Sequence, residues 1–102
     1  MSTNLLVVAL EAEYPIDLPR PNFGILYTGV GKVNATLELT RTLSNWLSPK
    51  LPKVVNYGTA GSVNNKYTGL VEVDTLIQRD MITEPQAPRG VTPFDNTECS
   101  GA

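Results

Sequence analysis

The run LLVVALEAEYP, Leu5 to Pro15, decides how this chain folds. Leu5–Leu10 is apolar without interruption, which marks a strand covered on both faces rather than one alternating between core and water. Such a strand belongs near the middle of a layered α/β domain. Two carboxylates, Glu11 and Glu13, follow at once, and Pro15 ends the run.

Outward from that strand, the segment YPIDLPRPNFG reads as a proline-rich loop. GILYT, Gly24–Thr28, is a second strand leading into GVGKVNAT. From Lys32 to about Ser48 the spacing becomes helical. Val33, Leu37, Leu43 and Leu47 form one stripe, and Ala35, Leu39 and Trp46 a flanking one, so the helix should pack on a sheet. Pro49 and Pro52 stop it. KVVNY, Lys53–Tyr57, is a third strand delivering GTAGS. Leu70–Met81 is a fourth, with apolar positions neither strictly alternating nor continuous. From Ile82 the chain turns rich in proline and glycine, with no period of a helix or strand. The expected organisation is therefore an α/β domain, a mixed sheet with a flanking helix, over residues 1–81, then a loop or unfinished tail over 82–102. One helix leaves a face of the sheet open, and bare edges and exposed apolar surface call for a partner.

The chain has 102 residues, 41% of them hydrophobic and 18% charged, and a formal charge of −2, the profile of one ordinary globular domain. Lysine and arginine occur as singles, so no basic surface for nucleic acid is expected. There is no histidine, and Cys99 is the lone cysteine. Internal disulfides, Cys/His zinc centres and histidine-based proton transfer are thereby excluded. The first apolar run is too short for a membrane span and lacks the basic flank of a signal peptide, which leaves the cytoplasm as the expected location. No metal and no cofactor is expected.

Three features fall at carboxyl ends of strands, where α/β sheets bind ligands. Gly29–Thr36 joins a strand to a helix, so it is either an anion-cradling turn or simply a tight connection. It lacks the spacing of a Walker A loop, because Leu26 and Val33 stand at the required positions, and Asn34 replaces the third glycine of a dinucleotide fingerprint. NYGTAGS, Asn56–Ser62, is a second glycine turn, with hydroxyls at Thr59 and Ser62. The third feature is the acid pair. If the extended backbone persists, Glu11 and Glu13 share a side. They are either solvated residues at a loop start, or one is shielded enough for its pKa to rise and to serve in acid–base chemistry.

Taken together, ALEAE (Ala9–Glu13), TGVGKVNAT (Thr28–Thr36), NYGTAGSV (Asn56–Val63) and GLVEVDTLIQRDM (Gly69–Met81) resemble the first half of the nucleoside phosphorylase and nucleosidase superfamily. Among its members the methylthioadenosine/S-adenosylhomocysteine nucleosidases are the most similar. The resemblance implies a partial nucleoside phosphorylase-like fold and hydrolysis of the N-glycosidic bond of an adenosine-type nucleoside. It places Glu13 as the catalytic acid residue that activates water, with Glu11 the lesser candidate. It places Ala9 against the sugar, Val30 near the ribose and Thr59 beside the water and ribose. Ala60 and Gly61 fall on the main chain lining the base.

The same comparison favours hydrolysis over phosphorolysis. Phosphorylases of the superfamily hold phosphate with a glycine-rich, arginine-bearing turn after the first strand, where this chain has Glu11 and Glu13. Many also carry an arginine where Asn56 stands. The family's second half supplies a Met-Glu-x-Glu ribose segment and a late aspartate, and neither has a match here. Thr83-Glu84-Pro85-Gln86 replaces an apolar segment near the 5′ substituent. The expected chain is thus an N-terminal half that supplies part of an active site, in a homo-oligomer or beside a complementary C-terminal segment. A phosphate-dependent phosphorylase and a non-catalytic nucleoside-binding relative are the alternatives.

Overall fold

The computed structural model describes residues 4–18 and 22–94. Strand β1 (Asn4–Val8) is followed by a single 3₁₀ turn at Glu11–Glu13, then by β2 (Phe23–Tyr27), helix α1 (Lys32–Ser44) and β3 (Lys53–Asn56). The sheet has the order β2-β1-β3. The unbroken apolar run is its middle strand, and Leu5, Val7 and Val8 are buried.

Both neighbours of β1 run parallel to it, Asn4 facing Phe23 on one side and Lys53 on the other. The expected mixed sheet is therefore corrected to an all-parallel one. The cause lies in the connections: parallel neighbours need crossovers, and a two-residue hairpin turn would have made antiparallel ones. Here the chain returns through Ala9–Asn22 before β2 and through α1 before β3. The ladder runs on past the strands, with Thr28 N–H donating to the Val8 carbonyl at 2.9 Å and Tyr57 N–H to Val7 at 2.9 Å.

The strand expected over Leu70–Met81 does not form, and an isolated bridge at Thr75 is all the strand character there. Leu70, Val73, Leu76 and Ile77 are exposed, in keeping with a pattern that defines no buried face.

Helix α1 stops one turn short of the expected end. The Asn45 amide and side chain both donate to the Arg41 carbonyl, at 3.3 and 3.0 Å, closing the last turn well before Pro49. Its half-buried apolar positions are Ala35 and Leu39 of the stripe expected to flank, with Trp46 just beyond the helix, and Leu43 of the main stripe. Val33 and Leu47, expected to lead the main stripe, are 80% and 101% exposed.

The opposite pleat of the sheet carries Phe23 and Tyr27. Tyr14 packs edge-on against Phe23 and against Tyr57, at centroid distances of 6.0 and 5.9 Å. Tyr27 donates its hydroxyl proton to the Tyr14 carbonyl, so the loop after the 3₁₀ turn is fastened over that face.

The described chain divides after Gly61 into two compact units. The second holds no helix among its described residues and is built from turns. Gln78 N–H donates to Gly90 O at 3.0 Å, and Gly90 N–H donates to Met81 O at 2.8 Å. Gly90 has φ +87°, and a Cβ there would run into the Ile77 side chain. Gly90→Ala should therefore cost roughly 1–3 kcal/mol and strip hydrogen-exchange protection from the Gln78 amide; unchanged protection would disprove the lock. Residues 95–102, the end of the expected tail with Cys99, lie outside the described residues.

Candidate functional site

The site forms where β1 and β3 end. After Val8 the chain leaves the sheet and winds into the 3₁₀ turn, in which Glu13 N–H donates to Leu10 O at 3.0 Å. The Glu13 side chain answers in the other direction, its Oε1 accepting from Leu10 N–H at 3.1 Å. This is one half of a capping box, with glutamate at the third position reaching back to the first amide. The extended geometry that would have set Glu11 and Glu13 on one side is replaced by this turn. Glu11 is exposed, and Glu13 alone is drawn inward.

From the other strand, β3 delivers Gly58 and Thr59 to the same point. Thr59 N–H donates to Glu13 Oε2 at 2.9 Å, and the Thr59 hydroxyl donates to the same oxygen at 2.8 Å. Gly58 lies close enough that a Cβ on it would stand 3.2 Å from Oε2. The absence of a side chain at Gly58 is what lets the carboxylate rest against the main chain.

Shielding was expected to push a carboxyl pKa up; the structure corrects the sign. The Thr59 hydroxyl, then the Leu10 and Thr59 amides, stabilise the charged form and hold the Glu13 carboxyl below its ordinary value, overcoming the weaker opposing effect of burial. Glu13 is thus anionic at neutral pH. It is equipped to accept a proton, not to donate one.

The other expected residues surround this pair. Ala9 is half-buried, and its carbonyl accepts from Gly29 N–H at 3.0 Å, which ties the start of the glycine turn to the end of β1. Gly29 and Gly31 have φ of +83° and +102°, the left-handed region that this turn requires. Between them Val30 is 65% exposed, its carbonyl accepting from the Asn34 side chain at 2.9 Å. Ala60 and Gly61 follow Thr59 on an exposed rim. The direct side-chain contact is Glu13 with Thr59; Ala9 and Val30 join through the backbone of the first glycine turn.

Two contributors escaped the sequence reading, the Leu10 amide and the close approach of Gly58. The spacing from Leu10 to Glu13 was the available signal for the first. It was weak because leucine is not a residue that caps with its side chain. A hollow of ≈200 Å³ beside Asn4, Phe23 and Lys53 sits at the starts of the strands, away from these groups. Another of ≈410 Å³ is lined by Glu11 and Asp17 but not by Glu13 or Thr59. Thr59 is exposed and Glu13 half-buried, so their contact lies on an open rim.

No group of three or more metal-ligating side chains occurs among the described residues, and no helix among them is long and apolar enough to cross a membrane. Comparisons with family models, with curated proteins and with solved structures found no match.

Proposed function

We propose that this chain forms the water-activating side of a purine nucleosidase site, cleaving the N-glycosidic bond of an adenosine-type nucleoside. The observation that carries the proposal is the anionic Glu13 carboxylate, fastened by Thr59 and Leu10 at the adjoining ends of two parallel strands. The resemblance of the four sequence blocks supplies the substrate class.

Hydrolysis of such a bond passes through a sugar with oxocarbenium character, and water approaching the anomeric carbon becomes acidic as the new bond forms. An ionised carboxylate held in place takes that proton, a contribution of ~10²–10⁴-fold. An ordinary glutamate is already charged at neutral pH, so the lowered pKa adds no base strength; what the hydrogen bonds contribute is the position of the carboxylate. The backbone at Gly61, where a Cβ would meet nothing within 4 Å, leaves room for a ligand to approach, and Val30 offers apolar surface to the ribose. Protonation of the departing purine is assigned to a second chain or a complementary segment. The exposed Val33, Leu37, Val54 and Val55 and the edge positions of β2 and β3 are in keeping with such an association. The proposed setting is cytoplasmic purine nucleoside metabolism, without metal or cofactor.

The test is incubation of the chain with adenosine and 5′-methylthioadenosine, with and without phosphate, following free adenine. Release without phosphate is the expected result. Release that requires phosphate would make the protein a phosphorylase, and binding without release would make it a non-catalytic nucleoside-binding relative.

A further inference from the structure

A carboxylate oxygen has two lone pairs to offer. On Glu13 the two oxygens are used unequally. Oε2 accepts both the amide and the hydroxyl of Thr59, at 2.9 and 2.8 Å, and both of its lone pairs are thereby taken. Oε1 accepts the Leu10 amide at 3.1 Å, and the Ala9 amide acts on the carboxylate more weakly, so Oε1 is the less engaged oxygen.

We infer that Thr59 is a positioning residue whose two donors occupy Oε2 of Glu13, fixing the carboxylate so that Oε1 is the oxygen that meets the attacking water. The inference rests on the nucleosidase reading and assigns Thr59 a role different from direct contact with the water. Its one hydroxyl proton is committed to Glu13, so toward a ligand the Thr59 oxygen can only accept. A sugar hydroxyl suits it; a carbonyl or a phosphate oxygen does not. A partial rotation of the carboxylate about its terminal bond would lose all three hydrogen bonds together, and a half-turn only exchanges two equivalent oxygens, which is why the Thr59 pair sets orientation and not merely proximity.

The groups that bond Glu13 carry no formal charge. Glu11 is the other titratable side chain of its turn, and neither Ala9–Leu10 nor Gly58–Thr59 brings another. A change in how Glu13 titrates on substitution of Thr59 can therefore be read as loss of the hydrogen bond itself.

Thr59→Val keeps the branched shape and removes the hydroxyl; Thr59→Ser restores the donor. For both variants and the parent chain, the Glu13 carboxyl is titrated by carbon-13 NMR, and kcat/KM for 5′-methylthioadenosine is measured against pH. In Thr59→Val the Glu13 titration is expected to move to higher pH and the acidic limb of kcat/KM to move with it. kcat should fall about tenfold to a hundredfold, and Thr59→Ser should return the titration and the acidic limb toward the parent. A Glu13 titration that does not move in Thr59→Val overturns the positioning role. A titration that moves in a chain whose parent releases no adenine overturns the nucleosidase reading, and with it the assignment of Oε1 to water.

Discussion

Replacing Val8 with aspartate is expected to unfold the amino-terminal unit. Val8 is wholly buried, sits on the middle strand and lends its carbonyl to Thr28 across the sheet. An aspartate there has no partner to receive its charge and no route to water, so it must either ionise in an apolar surround or be held neutral at a cost. The loss should reach about 4–5 kcal/mol, against a total of ~5–15 kcal/mol for a domain of this size. Few other side chains share the load, because α1 has no fully buried residue and all four positions of β3 are exposed. Near-ultraviolet circular dichroism of Tyr14, Tyr27 and Tyr57 should collapse in the variant. A retained tyrosine signal with an unchanged urea midpoint would show that β1 is not the centre of the core.

Glu13→Gln should reduce hydrolysis by about 10²–10⁴-fold while leaving the fold in place. The substitution removes the proton acceptor and also disturbs its seat. Glutamine can keep a carbonyl oxygen toward the two Thr59 donors, but its amide group then faces the Leu10 N–H, donor against donor. Alternatively the oxygen turns to Leu10 and the amide donates to the Thr59 hydroxyl oxygen, which leaves the Thr59 N–H without its acceptor. In either arrangement the 3₁₀ turn is loosened, so a small fall in stability should accompany the loss of turnover. Rates of adenine release from parent and variant, with affinity measured separately by equilibrium binding, distinguish the two effects. Turnover equal to that of the parent would exclude Glu13 from the chemistry.

The strands were legible where side-chain character alone fixes them. The unbroken apolar run of Leu5–Leu10 pointed to a buried strand, and the expected bounds of β1, β2 and β3 lie within two residues of those observed. Strand direction was not legible, because it depends on the course of Ala9–Asn22, whose prolines mark a loop without saying at which end of the sheet it returns. The helix was correct in type and start but not in facing. Its two apolar lines are nearly equivalent in composition, so side-chain character alone does not choose between them. Leu70–Met81 misled through composition, since valine and isoleucine favour strands only where a neighbour offers a surface.

At the candidate site, the positions of Glu13 and the second glycine turn were readable from their places after buried strands. That they touch was not. The contact joins Glu13 to Thr59 across a large stretch of sequence, and only the pairing of β1 with β3 brings it about. The sign of the pKa change was missed for the same reason. Burial can be guessed from a neighbouring apolar run, whereas a hydroxyl donated from another strand cannot.

The order β2-β1-β3 also governs the timing of assembly. β1 is synthesised before both of its neighbours, and it cannot be flanked on both sides until the whole of α1 and then β3 have been made. Closing so long a loop is paid in chain entropy before any ladder is gained, which slows formation of parallel sheets in general. During that interval the most apolar segment of the nascent polypeptide is bare along one edge. The vulnerable period in the life of this protein is therefore its synthesis, when a chaperone that shields Leu5–Leu10 would matter most.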